Sequence, residues 1–192
     1  MGSMPRWEPN ASGRLVQAAL DLFAERGYDN TTVVDIAKRA RLGKTTFFRH
    51  FQDKREVLFG DETLDGLLAE AISVAPQTAT PIEAVALALD AAGRNIFTAP
   101  RRELIARRRA VIAANPELQE REALKNLRLT ASMSDALRLR GVSDLTARVT
   151  AQLAAVAAEV ALQRWSEPNT SVDFGAVGRR ALDEVHAACS AH

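Results

Sequence analysis

Apolar residues along this chain recur at three- and four-residue intervals, and no stretch alternates with period two for long. The pattern predicts helices throughout and no sheet. Leu15, Ala18, Ala19, Leu22 and Phe23 give a first helix over residues 12–26, stopped by Gly27. Thr32 followed by Asp35 makes a capping box with the shorter acid, and Ile36, Ala37 and Ala40 form the inward stripe of a second helix. A third, short helix carries Leu42, Phe47, Phe48 and Phe51 on its apolar side. Three short helices with a tight turn between the last two match a helix-turn-helix unit.

A fourth helix is expected from Asp53 to about Ser73, and a fifth follows Pro81 with Ile82, Val85, Ala86, Leu89 and Ile96 on one side. Pro100 and Pro116 mark two further helix starts, the second capped by Asn115. Gly141 ends the seventh helix and Ser143 caps an eighth that runs to Trp165. After the break at "EPNT", Ser171 caps a ninth helix to about Ser190. The expected architecture is all-α with about nine helices: an N-terminal helix-turn-helix domain over residues 10–55 and a larger helical domain over 56–192.

Charge adds a location. The chain of 192 residues has a net charge of only +1. Yet residues 1–60 carry ten Lys/Arg against seven Asp/Glu, and between Lys38 and Arg55 seven Lys/Arg stand against Asp53 alone. Such a local excess seeks phosphate, because each neutralised phosphate releases condensed counterions. The competing reading is a solvated charged face. The single Cys189 forms no intrachain disulfide, and the sequence has no Cys/His cluster to hold a metal, so no cofactor is expected. With neither a secretory layout nor an apolar run near the length of a membrane span, a cytoplasmic protein is expected.

The stretch "ARLGKTTFFRHF", residues 40–51, admits two chemistries. Gly43-Lys44-Thr45 is the tail of a phosphate-binding P-loop, but that motif needs a glycine five residues earlier, where Lys38 stands, and a preceding strand. It fails both requirements. As a recognition helix the stretch is coherent. Lys44, Thr45 and Thr46 open the helix, where side chains reach base edges or phosphates, and threonine can both hydrogen-bond a base and pack on a thymine methyl. Arg49, His50 and Lys54 suit phosphate clamping, which positions a protein without reading sequence.

"TTVVDIAKRARLGKTTFFRHFQDKREVL", with "AALDLFAERGYDNTT" before it, resembles the N-terminal domain of TetR-family transcriptional regulators over residues 12–58. The resemblance implies an all-helical homodimeric repressor that binds a double-stranded DNA operator and releases it when a small molecule enters the C-terminal domain. By position, Thr32 and Lys54 match the family's phosphate contacts, and Lys44, Thr45 and Thr46 its base-facing residues. Phe48 stands where the family has tyrosine, which leaves only van der Waals contact with the backbone. Arg41 replaces the usual turn glycine, adding a charge and putting the turn geometry in question. Gly43 replaces a capping serine.

Beyond residue 60 the resemblance is one of architecture, and it implies dimerisation through the last two helices. Leu145, Val149, Leu153, Val156 and Val160 form one candidate stripe; Phe174, Val177, Ala181, Val185 and Ala188 form the other. Packing within one subunit is the alternative. A ligand pocket is expected among Leu68, Phe97, Ile105, Ile112 and Trp165, largely aliphatic, with Arg108 set in the apolar stripe of "PRRELIARRRAVIAAN". A buried guanidinium is costly unless paired, so Arg108 meets either an anionic ligand or an internal carboxylate, Asp90 or Glu159. Arg107 and Arg109 are expected to be solvated. "RRELIARRRAVIAANPELQER" resembles a segment of actinobacterial members that sense acyl thioesters. An enzyme is disfavoured: His186 and His192 have no nucleophile–acid arrangement around them, and Asp183-Glu184 reads as a solvated face. A ligand-independent regulator or an activator stays open.

Overall fold

The computed structural model describes residues 10–59, 63–167 and 171–190. Helices and the turns between them account for the described residues, with no strand among them. The chain divides into two compact units, Met1–Gly60 with Arg107–Leu118, and Asp61–Ala106 with Gln119–His192.

The first unit holds α1 (Ala11–Arg26), α2 (Val33–Arg39), α3 (Lys44–His50) and the short α4 (Glu56–Phe59). It also takes the second half of α7 (Arg102–Ala113) and the first residues of α8 (Pro116–Leu139). The periodicity decides what is buried: Leu15, Ala18, Ala19, Leu22 and Phe23 on α1, and Ile36 and Ala37 on α2. From α3 the buried residues are Phe47 and, at its end, Phe51. Phe48 points outward at 48 % exposure, because adjacent positions on a helix face different sides while Phe47 and Phe51, four apart, share one, so its place on the apolar side is corrected. The Lys54 ammonium closes the α1–α2 turn by donating to the carbonyls of Tyr28 (2.8 Å) and Thr31 (3.3 Å) while lying 4.0 Å above the Tyr28 ring. Burial pushes the Tyr28 phenol up to about 12.

Residues 107–118 join this unit through specific contacts that a cut by chain order at residue 56 does not foresee. Arg107 pairs with Asp21 at 2.6 Å, so it is not merely solvated, and the Asp21 carboxyl is held below its ordinary range by that hydrogen bond. Arg55 reaches Glu117 at 3.1 Å. The Arg108 guanidinium stands 5.5 Å over the Phe59 ring.

The second unit contains α5 (Thr63–Ser73), α6 (Pro81–Asn95), a 3-10 turn (Ala99–Arg101), the start of α7, the rest of α8, α9 (Asp144–Trp165) and α10 (Phe174–Ser190). Thr80 and Glu83 cap α6 with a full capping box, and Ser143 caps α9 by accepting the Thr146 amide at 3.3 Å. The start of α10 falls at Phe174, where Asp173 accepts the Ala176 amide at 3.0 Å; the cap expected at Ser171 is corrected to Asp173. The single fourth helix expected over residues 53–73 is seen as α4 and α5 on either side of residues outside the description, as are Pro168–Thr170 and His192.

The core of this unit joins Leu68, Ile72, Leu89, Leu137, Trp165 and Phe174 to the alanine face of α9, where Ala147, Ala151, Ala154, Ala157 and Ala161 are all fully buried. Small residues also let α10 approach α6: a β-carbon on Gly93 would come 2.8 Å from the Gly175 backbone nitrogen. By length and composition α9 could cross a membrane, but its alanine face packs into the core as a core helix's does, and Arg148, Glu159 and Arg164 interrupt it.

Candidate nucleic-acid interface

The turn before α3 settles the question raised by Arg41. Arg41 takes the left-handed conformation, φ 55°, that glycine ordinarily supplies. The Arg41 amide donates to the Lys38 carbonyl at 3.0 Å and the Leu42 amide to the Ala37 carbonyl at 2.9 Å, the paired bonds of a Schellman helix end. The turn geometry is therefore kept without the glycine, at a steric cost of roughly 1–2 kcal/mol. Gly43 then precedes α3 with no side-chain cap.

The structure also sorts the basic run by what each cation already touches. Arg39 is held bidentately by Glu25 at 2.7 and 2.6 Å. Arg55 is shared between Asp53 and Glu117. Lys54 is occupied by two carbonyls. Lys38, Arg41, Lys44 and Arg49 have no ion pair among the described residues, and all four are exposed. Within the run, the unneutralised charge thus lies at the end of α2, the turn and α3. Lys38 was absent from the sequence-based set; its lack of an acidic partner within the fold is what singles it out, and no local pattern shows that.

On α3 itself Lys44, Thr45, Phe48, Arg49 and His50 are exposed and Thr46 is half-buried, opposite the buried Phe47. The Lys44 ammonium sits 5.7 Å from the Phe48 ring. At the entrance to α2 the Thr32 hydroxyl donates to the Asp35 carboxylate at 2.6 Å and accepts the Asp35 amide at 3.2 Å. That hydroxyl bond, then the Thr32 backbone N–H and Arg26, hold Asp35 below its ordinary range. Hydroxyls, guanidinium and ammonium groups on one exposed helix face can donate to phosphate and base acceptors together.

The residues expected to line a pocket are divided between the two units. Leu68 and Ile105 are packed into the core of the second unit, Phe97 and Trp165 are in ring contact there, and Arg108 and Ile112 fall in the first unit. Asp90, one carboxylate proposed for Arg108, instead pairs with Arg179. Of the two dimer stripes, that on α10 is corrected: Phe174 and Ala181 are buried within the subunit at 1 % and 0 %, so they have no area left for a partner, and Val177 packs against the same core. On α9, Leu145, Val149 and Val156 are exposed on the side away from the alanines and Leu153 is half-buried, while half-buried Val160 packs against the core.

This fold and this exposed cationic helix define a helix-turn-helix regulator. Residues 15–59 match the family model described as bacterial regulatory proteins, tetR family. The HTH-type transcriptional repressor Rv3405c of Mycobacterium tuberculosis is 33 % identical over 160 residues, covering 83 % of this chain and 73 % of that one. The chain belongs to the TetR family and is a DNA-binding transcriptional regulator, not an enzyme. Among solved structures, a TetR-family regulator of Syntrophomonas wolfei aligns with TM-score 0.64 at 19 % identity over 94 % of this chain and 95 % of its own. The Thermus thermophilus repressor FadR, in complex with lauroyl-CoA, aligns with TM-score 0.56 at 24 % identity over 91 % and 93 %. At those identities the likeness is one of fold.

Proposed function

We propose that the protein is a homodimeric repressor that holds a double-stranded DNA operator through α3 and lets it go when a small molecule binds the second unit. The observation that carries this reading is that, within the basic run 38–55, the exposed cations without an ion pair among the described residues are Lys38, Arg41, Lys44 and Arg49. Lys44, Thr45 and Thr46 read base edges. Thr32, Arg41, Arg49 and His50 hold phosphates, Phe48 packs on the sugar–phosphate chain, and Lys54 acts mainly by fixing the α1–α2 turn. Two recognition helices reach successive major grooves about 34–36 Å apart only in a two-fold pair, and the outer face of α9 offers the unused apolar surface for that pairing. The lauroyl-CoA complex of FadR supports a small-molecule effector for a protein of this fold.

The test is binding of the purified protein to DNA flanking its own gene, at several salt concentrations, with unrelated DNA as competitor. Competitor-resistant binding whose affinity falls steeply with salt is the expected result. Binding that unrelated DNA abolishes at every salt concentration would refute the specific-operator reading.

A further inference from the structure

The second unit contains a cleft of about 540 Å³ at the end of α6 and the beginning of α10. That is within the range of roughly 300–1,000 Å³ typical of small-molecule sites. Its wall is aromatic: Phe97 lies 4.3 Å from Phe174 and 6.1 Å from Trp165, centroid to centroid, the second pair edge-on. Its rim is cationic, with Arg94, Arg102 and Arg179 facing two carboxylates, Asp90 and Asp173. Both carboxylates are already engaged, Asp90 by Arg179 and Asp173 by the Ala176 amide at the head of α10. Arg102 lies across the Trp165 ring at 4.8 Å and donates to the Val172 carbonyl at 3.1 Å. Arg94 is exposed and has no ion pair among the described residues. The indole N–H of the fully buried Trp165 has no acceptor among the described residues. The cleft therefore has a cation without an ion pair in Arg94, an aromatic wall, and more guanidinium groups than carboxylates.

We propose that this cleft seats a small planar carboxylate as the effector of the release step, its ring against Phe97 and Trp165 and its charge met by Arg94 beside Arg102. The assignment rests on the ligand-released reading above and names the chemical class of that ligand. A cation would meet three guanidinium groups against two carboxylates, one of them already paired with Arg179. A neutral planar molecule would leave Arg94 as it is. Aromatic rings favour tilted or offset contacts at centroid separations of about 4.5–7 Å, which the Phe97–Trp165 wall can offer to a guest ring.

The probe is benzoate, with benzamide as its uncharged counterpart of the same shape. Replacing Trp7 by Phe leaves Trp165 as the sole tryptophan of the chain's two, so its emission reports on the cleft. Benzoate is expected to shift that emission saturably and to bind about tenfold more tightly than benzamide, a ratio set by one charge-assisted hydrogen bond. Arg94→Gln is expected to remove the preference, while Arg180→Gln, an exposed arginine outside the cleft, keeps it. Operator affinity, measured on the same samples, is expected to fall in saturating benzoate. Equal binding of benzoate and benzamide, or an unchanged preference in Arg94→Gln with an intact far-ultraviolet spectrum, overturns the proposal and leaves operator binding standing. Charge-selective binding with no change in operator affinity overturns the effector role. Loss of specific operator binding in the ligand-free protein strikes the regulator reading instead, and the benzoate titration then judges the cleft alone.

Discussion

Two turns in this chain share one backbone and invert its chemistry. Between α8 and α9, the Gly141 amide bonds the Arg138 carbonyl at 2.9 Å and the Val142 amide bonds the Leu137 carbonyl at 3.2 Å, with φ 87° at Gly141. Between α2 and α3 the same two bonds form around Arg41. Each turn follows the left-handed residue with an aliphatic one, Val142 or Leu42, and then a cap position, Ser143 or Gly43. Glycine and serine thus stand where the conformation asks for them in the α8–α9 turn, and arginine and glycine stand there in the other. The first helical residue inverts as well. Asp144 suits the positive end of α9, whereas Lys44 opposes that of α3. All three choices weaken the α2–α3 turn, and all three favour positive charge at the exposed end of the recognition helix. The α8–α9 turn has the residues that stability favours; the turn proposed to meet a polyanion does not.

The largest test of this contrast removes the charge. Lys44→Ala combined with Arg49→Ala should lower operator affinity about 10–100-fold and reduce the slope of log affinity against log salt by about 2. Fluorescence anisotropy across a salt series measures both, and an unchanged slope would show that these cations do not meet phosphate. Gly141→Arg imposes the α2 solution on the α8 turn, where no DNA role compensates. It should cost about 1–2 kcal/mol, read as a melting temperature lower by roughly 2–8 °C. The reverse exchange, Arg41→Gly, should gain about 0.5–1 kcal/mol while weakening operator binding several-fold. A variant that gained stability with full DNA affinity would break the comparison.

The smallest effect is acid sensitivity. Asp35 fixes the far end of α2 and has a lowered pKa, so its contribution is complete above its unfolded pKa of about 4 and lost as pH falls through the folded value. Melting curves of the unsubstituted protein and Asp35→Asn should differ near neutral pH and converge in acid. A difference that persists in acid would mean the carboxylate charge is not what holds the cap.

Helix placement was legible because period and caps are local. The α1 stripe, the Thr32–Asp35 box, Gly27, Ser143 and Gly141 all act within a few residues, and the structure has each where the spacing puts it. The full box of Thr80 and Glu83 was equally local and went unread. Long-range partners were not legible. Arg107 and Arg108 are adjacent, yet one pairs with an aspartate 86 residues away and the other covers Phe59. The basic run marks the segment that holds the exposed, unpaired cations Lys38, Arg41, Lys44 and Arg49. Its partners Glu25, Glu117 and the Tyr28 carbonyl, which set Arg39, Arg55 and Lys54 apart, lie 14, 62 and 26 residues off in sequence. The α10 stripe was plain as a stripe, but periodicity names an apolar face and not what covers it.

The seat of Lys54 has a consequence for how the first unit opens. Its ammonium joins the α1–α2 turn to the segment that leaves α3, so neither can fray without exposing the carbonyls of Tyr28 and Thr31. Backbone amides of α2 and α3 should therefore exchange with deuterated water as one cooperative group rather than helix by helix. Neutralising that one side chain should split the group in two.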